Sequence, residues 1–471
     1  MKRPRMNARP RAVLVTTGAI AGFMVMPAPA LAQSGPVSEQ EAQALRAEID
    51  ALKARLDAME RRLAAIPADK ALTDNAAASP AKPASNTPAQ PAVEWKGSPR
   101  FSSDDRAFKV KGRVQADASH VSVPDTLADR GFGFSNEFRR IRLGGEGKLG
   151  SGFGYKLEVE LSDNNVELVD TFVTYEKGGL LLTLGNHNAF QSLDELTGDT
   201  TGSVMERAAF TDAFNFERRL GFSAQYKTGP WLAQAGVFTD DVAALANSSD
   251  GVAGGDENNS FSLDGRLVFA PKLGSMQLHL AASAHWRDLG RLVDGATRYQ
   301  QRPFAHSANT RLIGTRPLRI EREFSRGVEL AGIVGPLHFA GEAHWLRAYR
   351  PDIPNLDFWG GYAEAGYFLT GERRAYADGI FGSTRPLKPL GKGGMGAIQA
   401  TVRYDYLDLD SGEIRGGRQN GYIASLIWTP IQYLRFNLNY AYLDYSGAVA
   451  LPSGRSDYSA QVIGTRVELD F

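Results

Sequence analysis

Nine arginines crowd into residues 287–326: Arg287, Arg291, Arg298, Arg302, Arg311, Arg316, Arg319, Arg322 and Arg326, against Asp288, Asp294, Glu321 and Glu323, a local balance of +5. A guanidinium keeps its charge at any working pH and meets phosphate or carboxylate oxygens two at a time. A second basic group is ordered by spacing. Lys109, Lys111 and Arg113 recur at every second residue, and Arg140 and Arg142 repeat the interval. On an extended chain residues two apart share a face, so these residues form a basic stripe on two strands. The stretch 186–216 is the counterweight, with Arg207 its only Lys or Arg beside Asp194, Glu195, Asp199, Glu206 and Asp212. The chemistry on offer is attraction of small anionic solutes, not bond making, because a charged constriction focuses the field and concentrates counter-ions. The candidate anion-contacting residues are Lys109, Lys111, Arg113, Arg140, Arg142, Arg207, Arg298, Arg302 and Arg311. A solvated outer face is the alternative reading of the Arg-rich stretch.

Sites for bond making are harder to find. The chain has no Cys, which removes disulfides, zinc–thiolate sites and thiol nucleophiles. Two G-x-G-x-x-G matches, Gly145-Gly147-Gly150 and Gly391-Gly393-Gly396, do not lie between an apolar strand and a helix, so they read as turn and strand glycines. His279 and His285, and likewise His338 and His344, lie six apart on one strand face and read as solvated histidines facing a lumen. Asp405, Asp408, Asp410 and Glu413 are a candidate calcium cluster, but their spacing is not that of an EF-hand. Nothing marks a nucleophile, so neither an enzyme, a cofactor nor a metal is expected. A hydrolase with Ser, His and Asp at a barrel rim is the enzymatic alternative.

The elements that must carry the basic stripe are strands. Lys109–Ala118, Tyr155–Leu161 and Leu434–Tyr440 alternate polar with small or apolar residues, and so do 260–270, 275–287, 336–347, 357–370, 396–408, 419–429 and 458–471. That pattern predicts an all-β transmembrane antiparallel β-barrel of about 16 strands, in which lipid-facing and lumen-facing residues alternate. The mean hydropathy of −0.28 fits, since alternation keeps the average low, and no segment after the first 32 residues has the apolar run of a membrane helix. Short turns at 148–152, 176–179, 227–230, 271–274, 335–336 and 429–431 alternate with longer connections near 119–133, 187–216, 240–259, 288–322 and 446–457. Short links near 162–166 and 349–356 fall on the long-loop side. One stretch breaks the rule: 371–394 is long yet falls on the short-turn rim. Trp231 and Trp428 sit beside short turns, whereas Trp286, Trp345 and Trp359 sit where strands meet long loops, as two interfacial belts require. The final alternation, Val467–Phe471, carries the last strand to the end of the chain.

Ahead of the barrel the text is different. Lys2, Arg3, Arg5, Arg9 and Arg11 precede an apolar stretch, Ala12–Met26, and Ala30-Leu31-Ala32 is a cleavage signature, so 1–32 reads as a secretory signal peptide. Its removal leaves a net charge of −5, with no global basic field for nucleic acid. Residues 33–66 read as a periplasmic coiled-coil helix: Ser38 and Glu41 form a capping box, and Leu45, Ile49, Leu52, Leu56, Met59, Leu63 and Ile66 keep a strict a/d seam. Residues 67–100, rich in Ala and Pro, read as an extended linker, and 101–471 as the barrel.

The barrel region resembles the phosphate-selective porin O and P family of Gram-negative outer membranes, over roughly 106–471. The resemblance rests on Phe138-Arg139-Arg140-Ile141-Arg142-Leu143, on Ser192–Thr197 with Met205-Glu206-Arg207, on Tyr367–Glu372 and Arg403–Leu409, and on Gly417-Arg418-Gln419-Asn420. It implies a 16-stranded, trimeric porin of the outer membrane's lipid bilayer through which small anions diffuse, with 187–216 as the loop that enters the pore. Where members often carry a Lys shortly after the glycine opening that loop, this chain has Asn186-His187-Asn188 after Gly185. The expectation is therefore a passive, water-filled porin with weak to moderate anion preference. The other expectation weighed is an outer-membrane anchoring protein acting through its coiled coil. The register puts Val110, Leu157, Val159, Leu263, Leu278, Leu280, Phe436 and Leu438 on the lipid face. It predicts that Leu438→Arg impairs folding while Asn437→Arg, facing inward, does not.

Overall fold

The computed structural model describes Lys53 and residues 92–162, 166–239, 260–290 and 297–471. The predicted signal peptide and nearly all of the predicted coiled coil lie outside the described residues. In the described part, 16 antiparallel strands close into one barrel. They are β1 (Arg106–Ser122), β2 (Gly133–Gly150), β3 (Phe153–Glu160), β4 (Glu167–Lys177), β5 (Leu180–Asn188), β6 (Arg218–Thr228), β7 (Trp231–Phe238), β8 (Phe261–Phe269), β9 (Met276–Asp288), β10 (Arg322–Val334), β11 (Leu337–Tyr349), β12 (Leu356–Phe368), β13 (Ala397–Ser411), β14 (Ile414–Ile431), β15 (Leu434–Ser446) and β16 (Tyr458–Asp470). Closure is made by β16 on β1, in register from Gln461↔Ser122 to Asp470↔Arg113. Beyond the last pair, Phe471 exchanges two backbone hydrogen bonds with Gly112, and its ring occupies the space a Cβ at that glycine would need.

The alternation that predicts the strands also fixes their faces. In β15, Arg435, Asn437 and Asn439 point inward and are buried, while Leu438 and Tyr440 point outward and are exposed. Leu157, Leu263 and Leu280 are likewise exposed on the outer face, the inside-out distribution of a protein whose outer solvent is lipid. Tight turns join the strands at one rim; between β4 and β5 the two turn residues, Gly178 and Gly179, both have positive φ, as a two-residue hairpin of right-handed twist demands. Two aromatic girdles mark the interfaces: Trp231 on Phe269 and Trp428 on Phe436 near the short-turn rim, and Trp359 on Tyr406 and Trp286 on Phe261 near the long-loop rim.

The end of the predicted linker is structured. Ala92–Trp95 and Pro99–Ser103 pair with each other, and the second pairs with the start of β1, so a small hairpin extends the sheet at the short-turn rim.

The lumen is filled unevenly, by three inward-folded connections. From the long-loop rim, 189–217 enters with two short helices, α1 (Leu193–Leu196) and α2 (Ala209–Ala213), and 297–321 folds over it. Phe210, Phe214, Leu193, Tyr299, Phe304 and Leu312 of these connections pack on Phe358, Leu407 and Leu443 of β12, β13 and β15, forming a hydrophobic core inside the barrel. The third is 371–394, whose length the alternation of turns and loops leaves without a reason. It turns inward from the short-turn rim as a miniature hairpin, Ala375–Ala377 with Ile380–Gly382. Tyr376 reaches His279 at 2.6 Å, the Gly379 carbonyl accepts from Arg266 at 2.9 Å, and Arg374 pairs with Glu364 at 3.0 Å.

Two expectations change as a result. The four paired histidines do face inward, but all are buried: His279 lies on Glu329, His285 on Asp264, His338 on Gln399 and His344 on Glu342. Asn437 is only 4% exposed and lies opposite the buried Arg466, so the inner face of β15 is packed rather than wet, and Asn437→Arg is not the tolerated exchange that alternation suggests. The open part of the lumen runs along β1 to β7.

Candidate functional site

The loop 189–217 is held by the far wall through buried charges. Backbone amides at the start of α1, those of Leu193 and Asp194, donate to Glu342 at 2.9 and 2.7 Å, where a carboxylate complements a helix N-terminus. Glu364 accepts from Ser203, Arg374 and Arg403, and Arg403 also grips Asp194 at 2.9 Å. Arg466 holds the Met205 carbonyl, Glu206 and Asp117. Toward the open side, Asp199 sits between Arg113 and Arg140, with Arg140 Nε at 2.7 Å from it. The acidity of the loop is thus largely consumed in anchoring. Burial alone would raise the Asp199 carboxyl, but Arg113 and Arg140 outweigh it and hold it well below the usual range. Burial likewise opposes ionisation of Glu206, yet Arg466 and Arg139 bring it down to about 2. Glu195 is the exception: burial pushes it up to about 7, and Arg207, with Nε 3.4 Å away, only partly offsets this.

Three connected cavities run down the open side. The outermost, about 290 Å³, is lined by Arg139, Arg140, Arg207, Arg302, His306 and Arg466 together with loop acids. The next is a chamber of about 650 Å³, and Glu195, Gly198, Asp199, Arg207 and Arg218 line both, so they mark the constriction. The third, about 1240 Å³, opens toward the short-turn rim and shares Lys156, Phe172, Thr174 and Glu176 with the chamber.

The sequence candidates separate. Arg113, Arg140 and Arg142 face inward together; Arg142 pairs with Glu160 at 2.8 Å. Lys109 and Lys111 also face inward but lower, lining a small cavity with Arg435 and Asp470. Arg207 borders the constriction and caps the carbonyls of Asp194, Glu195 and Thr197 at 3.0–3.2 Å. Of the Arg-rich connection, Arg302 lines the outer cavity, Arg311 stands half-buried near it, and Arg298 is exposed away from the path. Arg316 is likewise exposed, so the outer-face reading describes part of that stretch.

One inward-facing arginine of the outer cavity was missed. In Phe138-Arg139-Arg140-Ile141-Arg142, strict alternation would leave Arg139 on the lipid side. A β-bulge opposite Gln115 and Ala116 removes the conflict: Arg140 pairs with Gln115 and Phe138 with Ala116, so Arg139 and Arg140 both turn inward while Phe138 and Ile141 stay outside. The signal was available, since a lipid-facing Arg at mid-strand is costly enough to predict a bulge. Among the described residues, neither the Arg139 nor the Arg302 guanidinium has a carboxylate within 4.0 Å, although the Arg302 backbone amide donates to Asp212 at 2.7 Å. Among the described residues no group of three or more His, Asp or Glu is placed to hold a metal ion, and Asp405 instead accepts from the Ala209 amide of α2.

A family model described as phosphate-selective porin O and P matches residues 108–471. An uncharacterized protein of Caulobacter vibrioides is 60% identical over 392 residues, covering 83% of this chain and 79% of that protein. Among solved structures, an anion-selective porin from Comamonas acidovorans is 13% identical and spans 78% of this chain and 100% of that one, with a TM-score of 0.49. The trimer form of OmpT, an outer-membrane protein of Vibrio cholerae, is 10% identical, with coverages of 78% and 100% and a TM-score of 0.48.

Proposed function

Because this chain belongs to the phosphate-selective porin O and P family, we propose that it is a passive, water-filled outer-membrane channel with a weak to moderate preference for small anions such as phosphate. The observation that carries the reading is the pair Arg139 and Arg302. Both line the outer cavity, and among the described residues neither guanidinium has an ion-pair partner, while the other arginines of that cavity, Arg140, Arg207, Arg218 and Arg466, are paired. In a lining of six arginines and six acidic residues, these two guanidiniums are the ones an entering anion meets outside a salt bridge, and the even count supports a preference that is only weak. The position after Gly185 adds nothing, since His187 there is spent on Ser223 at 2.7 Å.

The test is the reversal potential of the purified protein across a planar bilayer under a salt gradient. Arg139→Gln and Arg302→Gln should each shift it toward cations, more so at low salt where screening is weak. Arg298→Gln, remote from the path, should shift it least. A wild-type channel that is cation-selective at low salt ends the anion reading and leaves a general diffusion porin.

We further propose export through a cleaved signal at 1–32 and a homotrimer joined on the periplasmic side by the 38–66 helix, whose narrow a/d seam suits self-association better than packing on a globular surface.

A further inference from the structure

After its inserted hairpin, the connection between β12 and β13 returns to the outer edge of the barrel. The Leu390 amide donates to the Pro430 carbonyl at 2.9 Å, and the Gly396 amide donates to the Lys388 carbonyl at 3.0 Å. Trp428, in the girdle near the short-turn rim, donates its indole N–H to the Met395 carbonyl at 2.7 Å. The segment 388–395 is thereby held at the level of the membrane interface, where such girdles lie. Leu390 and Met395 stand 51% and 58% exposed there. Lys388 and Lys392 are exposed beside them, and among the described residues neither has a carboxylate within 4.0 Å. The local sequence offers them none: no Asp or Glu occurs between Asp378 and Asp405, nor between Glu413 and Asp444. Glu372, at the start of the connection, is buried and accepts from Thr370 and from the Leu387 amide.

Above this edge, on the lipid-facing side of β11 to β15, lies an apolar groove of about 490 Å³. Trp428 pairs across strands with Ile398 and Phe436. Two residues further up the same face, about 7 Å away, Tyr367, Ala400, Leu426 and Leu438 cross four strands in one row. Val402 and Ala424 belong to the row after it. The groove therefore starts just above the girdle and runs toward the middle of the bilayer.

We propose that this edge and groove hold one phospholipid of the periplasmic leaflet, whose headgroup carries a phosphate and no cation. The phosphate meets Lys388 and Lys392, Leu390 and Met395 flank the ester region, and one acyl chain lies in the groove. Charge complementarity selects this occupant, because a headgroup ammonium would find no carboxylate at the edge. Length agrees: an acyl chain spans half of the hydrocarbon core, roughly 15 Å, and so reaches the groove from the interface.

The experiment is native mass spectrometry of the purified full chain in detergent. It is titrated with dioleoyl phosphatidylglycerol, with dioleoyl phosphatidylcholine, or with glycerol 3-phosphate, which lacks acyl chains. One phosphatidylglycerol per barrel should be retained, more tightly than phosphatidylcholine, and glycerol 3-phosphate should be lost. Lys388→Gln and Lys392→Gln should each weaken phosphatidylglycerol about fivefold, the effect of one basic residue at an anionic lipid surface, and narrow its lead over phosphatidylcholine. Lys272→Gln, at the same rim on the turn between β8 and β9, should change neither. Ala424→Phe fills the groove and should weaken both lipids alike; if it fails to fold, Ala400→Phe gives the same readout. Equal retention of the two lipids, a lead that persists in the Lys variants, or uptake of many lipids without saturation overturns the site. Trimers that carry no lipid while monomers do also overturn it, and assign this face to a second copy of the chain.

Discussion

Leu438→Arg is the sharpest test of which face meets lipid. Leu438 is the fifth residue of β15 and is 49% exposed on the outer face. Four residues at about 3.3 Å each, tilted by about 40°, place it roughly 10 Å above the short-turn rim of an apolar band about 25 Å tall, hence near mid-bilayer. An arginine there costs about 2–4 kcal/mol, against a total stability on the order of 5–15 kcal/mol. The matched control is Thr174→Arg, on the inner face of β4 where chamber and lower cavity meet; with water at hand it should cost within about 1 kcal/mol. Urea unfolding in lipid bilayers, followed by tryptophan fluorescence and by heat-modifiable gel mobility, reads both. Equal losses for the two would refute the assigned register, because a slip of one residue exchanges the faces of the whole strand.

Four further outcomes are expected. Glu195, held up at about 7, is about nine-tenths ionised at pH 8 and about one-tenth at pH 6, so acidification should strengthen anion preference and Glu195→Gln should flatten that response in reversal-potential measurements. Because the folded-state value lies above the ordinary 4.5, the same group should make the fold less stable as pH rises from 4.5 through about 7. Arg374→Gln, which leaves Glu364 with Arg403 as its remaining cation, should cost about 3 kcal/mol of unfolding stability and raise single-channel conductance as the inserted hairpin loosens. Deleting 33–93 should leave a folded barrel whose oligomer dissociates at lower temperature on native gels; an unchanged profile would remove the helix from assembly.

The wall of this protein was legible in its sequence, because a two-residue period is imposed by the lipid on every strand. Leu263, Leu280 and Leu438 face outward as the alternation predicts, and the rims follow from the lengths of the connections. The interior was legible only in part. Arg113, Arg140 and Arg142 come together because they share strand faces, but nothing local states that Asp199, from a distant loop, will be clamped between two of them. Loop docking depends on pairs far apart in the chain, such as Asp194 with Arg403 and Glu206 with Arg466. For the same reason the inner faces of β11 to β16 looked wet in the sequence and are packed in the fold. Period two separates inside from outside; it does not distinguish a solvated interior from a solid one.

The hairpin that rises from the short-turn rim has a mechanical implication. It meets the descending loop at a common anchor: Glu364 receives Arg374 from below and Ser203 from above, and the Phe381 amide donates to Thr197 at 3.4 Å. The two inserts brace one another like the halves of an arch, with the strands as abutments. Strand number then fixes the circumference of the shell while the arch fixes the aperture, and the two are free to vary separately. A few residues exchanged between 371 and 394 would resize the passage without disturbing a single strand pairing.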